Sequence, residues 1–111
     1  MRLASLALAA ALVFGAAASA SAQGDPRAGR RIAGGMCAVC HGANGISTVA
    51  DAPNLAGQNP TYVAIQLRAY RDGKRQHEQM AIIAKSLSDE QIADLAAWFA
   101  AIEVSVTVPP R

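Results

Sequence analysis

Aromatic bulk is scarce in this chain of 111 residues, which holds two Phe, two Tyr and one Trp. Phe14 lies in an N-terminal apolar run, so Tyr62, Tyr70, Trp98 and Phe99 are all that remain to fill a core. Cysteine and histidine are also rare, with two of each. Neither sign of charge dominates: past residue 22, nine Lys and Arg stand against eight Asp and Glu. Nucleic acid as the main partner needs a broad basic face, and this balance argues against one. No convincing strand pattern, no internal repeat and no linker is evident. The apolar spacing that is present is helical, so the expected fold class is all-α.

The one long hydrophobic run opens the chain. Met1-Arg2 is a short positive start, Leu3 to Ala18 carries no charge, and Ala20-Ser21-Ala22 offers small residues where signal peptidase reads them. This is the layout of a secretory signal peptide, with cleavage expected after Ala22. An uncleaved anchor is the alternative, since Leu3 to Ala22 just reaches bilayer length. The Ala and Ser content and the A-x-A ending favour removal. No Cys follows the cleavage point, so a lipid anchor there has no support. Removal leaves 89 residues, 23–111. A chain of that length buries a modest core and often leans on a disulfide, a metal or a cofactor.

Three helices are expected. Asp25-Pro26 is a cap followed by a Pro at the first helical position, opening a helix through Ala33 that Gly34-Gly35 should end. Residues 42–57, "GANGISTVADAPNLAG", read as a loop. Asn59-Pro60 opens a second helix, with Val63, Leu67 and Tyr70 on one stripe and Gly73 at its end. Ser88-Asp89-Glu90-Gln91 is a capping box for a third, whose stripe is Ile92, Leu95, Phe99 and Ile102 with Trp98 beside it. Between them lies "KRQHEQMAIIAKSL", which holds Met80 and is assigned no element. The tail, residues 104–111, ends in Pro109-Pro110 and is expected to lie extended over the surface.

The two cysteines sit in "MCAVCHG": Cys37, Cys40 and, directly after, His41. Three readings compete with a haem site. A thioredoxin-like redox pair needs a βαβ context, and no strand precedes Cys37. A zinc site needs four ligands, for which Cys37, Cys40, His41 and His77 are the candidates, and a ligand directly after Cys40 fits that geometry poorly. A plain disulfide in an exported protein accounts for both cysteines and leaves His41 unexplained. The C-x-x-C-H pattern of covalent haem attachment gives each residue a task. Cysteines three apart on a tight helical turn point the same way and can bond both vinyl groups of one haem. The imidazole that follows is then the proximal ligand of the iron. A buried porphyrin also supplies the apolar centre that so few aromatics cannot.

For the sixth iron position the mature chain offers two methionines. Met36 adjoins Cys37 on the proximal side and cannot reach the other face. Met80 lies 39 residues after His41, past a loop and a helix, far enough for the chain to wrap the haem edge. His77, an open position, and an ordinary core role for Met80 are the alternatives.

"CAVCHG", "PNLAGQNPTYVAIQLRAYRDGKR", the isolated Met80 and "LSDEQIADLAAWFAAI" together resemble class I cytochromes c over nearly all of residues 25–103. The likeness is to small bacterial monohaem cytochromes and to one half of the periplasmic dihaem type. The second C-x-x-C-H of the dihaem relatives is not present in this sequence. The resemblance implies a single domain, 23–103, of three to five helices wrapped around one covalently bound haem c, followed by the tail and preceded by the leader, 1–22. It places Met80 seven residues before Leu87 of the "LSD" cap, as in the family. It further implies that the first and last helices cross with Gly29 against Trp98, and that the carbonyl of Pro53 accepts from the proximal imidazole.

Ligation by His41 and Met80 leaves no position for oxygen or peroxide, which suits outer-sphere electron transfer. The expected function is therefore a soluble periplasmic electron carrier with redox protein partners. The second reading is the haem subunit of a periplasmic dehydrogenase complex, such as a sulfide or sulfite oxidising enzyme. Arg68, Arg71, Lys74 and Arg75 form a local basic run that is either a solvated helix face or a steering patch for an acidic partner.

Overall fold

The computed structural model describes residues 23–111; the expected leader and its cleavage point lie outside the described residues. Five helices follow one another: α1 (Pro26–Met36), α2 (Ala38–His41), α3 (Pro60–Arg71), α4 (Glu78–Lys85) and α5 (Asp89–Ala101). Among the described residues there is no strand.

The starts of α1, α3 and α5 are written in local chemistry. Asp25 accepts the Arg27 N–H at 2.8 Å, and Asn59 accepts the Tyr62 N–H at 3.1 Å. Each is followed by a Pro, whose missing N–H costs nothing in a first turn. Ser88 and Gln91 exchange reciprocal side-chain bonds with each other's backbone, closing the capping box.

α1 and α5 form the main helix pair, with α3 packed on both α5 and α4. A Cβ at Gly29 would run into the Asp94 carbonyl and lie 2.8 Å from the Trp98 Cβ, so a glycine lets the two backbones touch. The Arg30 guanidinium lies over the Trp98 ring at 5.4 Å. Asp94, buried on α5, accepts the Asp25 N–H at 2.7 Å and ties the start of α1 to α5. Ile92, Leu95 and Phe99 turn inward from α5 to meet Ala33 and Leu87. Burying each of these large side chains contributes about 1.5–3 kcal/mol.

The structure departs from expectation in two places. α1 does not end at Gly34-Gly35 but continues to Met36, with the Cys37 N–H donating to Ala33 O at 2.9 Å. Glycine in a helix costs about 1 kcal/mol. Burial of Ala33 and packing of Met36 against the core offset that cost. The segment around Met80 is also helical, as α4. Its N-cap is His77, which accepts the Met80 N–H through Nδ1 at 3.3 Å, and histidine is not a residue that signals a helix start.

Three of the four residues of the basic run are engaged within the fold, Arg75 through Tyr70 and Gln66. Arg71 reaches Asp89 at 2.8 Å, Asp72 at 3.2 Å and the Leu87 carbonyl at 3.3 Å, latching α3 to the start of α5. Arg68 stands 3.8 Å from the same Asp89. Beyond Ile102 the chain is exposed and irregular to its end.

Candidate haem-binding site

Cys37 both ends α1 and begins α2, so the single turn of α2 carries Cys37, Cys40 and His41 off the end of the core helix. The His41 N–H donates to Cys37 O at 2.9 Å, which sets that turn. Gly42 then reverses the chain at φ +80°, where a Cβ would also collide with Ile46 O.

His41 is 7% exposed. Its Nδ1 lies 2.8 Å from Pro53 O. A carbonyl can only accept, so Nδ1 carries the proton and, in the neutral imidazole that ligates a metal, Nε2 keeps the lone pair. The two residues after Pro53 are both tied down: Asn54 accepts the Ser47 N–H at 2.7 Å, and Leu55 donates to Gly45 O at 2.8 Å. The loop after the motif is thus built to hold one carbonyl against one imidazole.

His41, Cys37, Cys40, Pro53 and Met80 all line one cavity of about 710 Å³. That volume lies within the range of about 300–1,000 Å³ usual for small-molecule sites. Its remaining wall is largely apolar, with Met36, Leu67, Leu95 and Phe99 among the contributors. His77 lines it as well, from an exposed position, while Met80 is half-buried. Gly29 and Trp98 belong to the α1–α5 crossing and not to the cavity.

The competing readings of the cysteines fit this geometry poorly. Burial pushes the Cys37 thiol up to about 11, the wrong direction for a thiolate redox pair. Among the described residues no group of three or more His, Cys, Asp or Glu is placed to hold a metal ion. An apolar cavity with two thiols, an oriented imidazole and a thioether on its wall does fit a porphyrin.

Part of the cavity rim carries no signal at the level of sequence. Arg75 stacks over Tyr70 at 4.7 Å and donates to Gln66 at 2.7 Å, and Tyr70 meets His77 edge-on at 6.4 Å. All four residues line the cavity. Tyr70 reads as part of a helix stripe and Arg75 as part of a charge run, and neither pattern points to a pocket.

Comparison with known proteins is consistent throughout. The chain is 45% identical to cytochrome c4 of Thiocapsa roseopersicina over 75% of its own length and 43% of the relative's. It is 43% identical to cytochrome c-554(548) of Halomonas halodenitrificans, covering 62% of this chain and 87% of that one. The crystal structure of reduced recombinant cytochrome c4 from Pseudomonas stutzeri superposes with a TM-score of 0.64 at 29% identity, over 73% of this chain and 51% of that one. The chain thus spans about half the length of the cytochrome c4 proteins it matches. The cytochrome c family model matches residues 26–102, the stretch that builds this cavity. The chain belongs to the cytochrome c family, and one covalently attached haem c is the group that Cys37 and Cys40 are spaced to hold.

Proposed function

We propose that this chain is an exported, periplasmic one-electron carrier whose haem is bonded to Cys37 and Cys40 and ligated by His41 and Met80. The observation that carries this reading is the buried His41, oriented by Pro53 at 2.8 Å and sharing one apolar cavity with Met80. When bound, haem c supplies a one-electron Fe(II)/Fe(III) couple.

The protein's part is to set ligands, potential and access. Pro53 fixes the His41 tautomer, so Nε2 is free to ligate without a search over ring orientations. Met80 offers a neutral, soft thioether, which favours the ferrous state and raises the potential. The apolar wall excludes water and acts in the same direction, because the extra charge of the ferric state is poorly solvated there. With His41 and Met80 both holding the haem iron, no place would be left for oxygen or peroxide. The chain therefore exchanges electrons with redox partners rather than making bonds.

Potentiometric titration of the protein purified from its native periplasm tests this. A single one-electron curve, with no carbon monoxide binding to the reduced form, is the expected result. Carbon monoxide binding at neutral pH contradicts the carrier reading. Recovery of a polypeptide beginning at Gln23 from the periplasmic fraction tests export.

A further inference from the structure

Gly73, at φ +77°, turns the chain back where α3 ends. The Lys74 and Arg75 N–H groups donate to Ala69 O at 2.8 and 3.0 Å, which carries Arg75 back along the helix. Its guanidinium lies over the Tyr70 ring at 4.7 Å and donates through Nη1 to Gln66 Oε1 at 2.7 Å. Those two contacts fix both the plane and the direction of a side chain that is costly to order. Among the described residues Arg75 makes no ion pair, unlike Arg68 and Arg71 of the same basic run.

Among the described residues Arg75 is also the one Lys or Arg on the wall of the haem cavity, and Asp51 is the one Asp or Glu. Arg68, Arg71 and Lys74 stand outside it. Haem is a dicarboxylic acid, and its two propionates sit on the porphyrin edge away from the vinyl carbons that Cys37 and Cys40 are spaced to bond. Those carboxylates therefore meet the wall elsewhere than at the motif turn. Asp51 repels them. Arg75 keeps several N–H donors beyond the one given to Gln66, in the planar fork that matches a carboxylate best. Its exposed position at the rim leaves the pair partly in water, so little desolvation opposes it.

We infer that the Arg75 guanidinium, positioned by Tyr70 and Gln66, pairs with a propionate carboxylate of the bound haem. This rests on the carrier reading, which puts haem c in the cavity. A cation there keeps the propionate ionised to lower pH. It also disfavours the extra positive charge of ferric iron and so raises the potential. Beyond the haem motif, the other titratable side chains on the wall are Asp51, Tyr62, Tyr70 and His77. Of these only His77 ordinarily titrates near neutrality. Asp72, Lys74 and Glu78 flank the turn from outside the cavity.

The test is a potentiometric titration of the haem-loaded full chain across pH, with infrared spectra of protein grown on carboxyl-labelled aminolevulinate, which marks the propionate carbons. Arg75→Gln should raise the pH at which a labelled carboxyl protonates by about one unit or more, tenfold in proton affinity. It should also lower the midpoint potential where that carboxyl is ionised. Arg75→Lys keeps the charge without the planar fork and should recover part of both effects. Gln66→Ala keeps the charge and loosens it, so the carboxyl should move the same way by less. Lys74→Gln removes the same charge from the same turn outside the cavity, and should move the carboxyl by less than about a third as much. An unmoved carboxyl in Arg75→Gln, or an equal shift in Lys74→Gln, overturns the inference. So does a pH step in the potential that vanishes in His77→Ala. The spectrum and carbon monoxide response of the parent judge the carrier reading separately. A parent that cycles and excludes carbon monoxide, with an unmoved carboxyl in Arg75→Gln, defeats only the propionate pair. A parent that binds carbon monoxide, with the carboxyl shifted in Arg75→Gln, defeats only the carrier reading.

Discussion

The Nδ1 of His41 donates to the carbonyl oxygen of Pro53 across 2.8 Å, joining the haem motif to the middle of the loop that follows it. A hydrogen bond donated by an axial imidazole makes its other nitrogen a stronger donor to iron and favours the ferric state. Pro53→Gly keeps the carbonyl but frees the backbone that aims it. A bond worth about 0.5–1.5 kcal/mol to one redox state corresponds to about 20–60 mV for one electron. The midpoint potential of Pro53→Gly should therefore rise by about that much, and a fall would refute this role for Pro53.

Met80 and His77 reach the same cavity and can be separated by substitution. Met80→Ala should abolish the weak far-red absorption of the ferric form and lower the potential by about 100 mV or more, within the span of about 0.8 V that axial ligands control. His77→Ala should keep the far-red band and lose only some stability at the start of α4, where His77 accepts the Met80 N–H. The opposite pattern would make His77 the ligand.

Two glycines of α1 should respond with opposite signs. At Gly29 an added Cβ meets the α5 backbone at Asp94 and the Trp98 Cβ, so Gly29→Ala should cost about 1–3 kcal/mol of unfolding free energy. At Gly34 an added Cβ meets nothing within 4 Å on a backbone that is already helical, so Gly34→Ala should stabilise by about 0.5–1 kcal/mol. Denaturant unfolding of the loaded proteins measures both.

Acid should weaken the α3–α5 latch. The hydrogen bond from Arg71, with its positive charge, holds the Asp89 carboxyl below the ordinary carboxylate value of about 3.9. A depressed carboxyl contributes stability above its unfolded pKa and loses it as pH falls through the lower folded value. Asp89→Asn should thus be less stable than the parent at neutral pH, and the difference should shrink as the pH falls below the ordinary carboxylate value of about 3.9. A difference that grows on acidification would contradict the latch.

Much of this site is legible in the sequence because its signals are local. The caps at Asp25, Asn59 and Ser88 lie within three residues of the N–H groups they satisfy, and the cysteines and His41 occupy one turn. The stripe through Ile92, Leu95 and Phe99 needs only helical periodicity. α4 escapes that reading because its cap is a histidine, and Ile82 on it is 71% exposed, which blurs the stripe. The extension of α1 through Gly34-Gly35 escapes it because tertiary packing outweighs local propensity. Tyr70, Arg75 and Gln66 meet across the cavity rim from residues up to nine apart, and spacing alone carries no mark of that contact. The Pro53 carbonyl facing His41 is legible through resemblance alone, since twelve residues of irregular loop separate them.

The most direct measurement is an optical spectrum of the protein from its native periplasm, oxidised and reduced, before and after acid–acetone extraction. The expected result is colour that stays with the polypeptide, and a weak far-red band in the ferric form that reduction abolishes. Haem that extracts, or a colourless protein, would contradict covalent attachment at Cys37 and Cys40. Bound haem without the far-red band would contradict Met80 as its ligand.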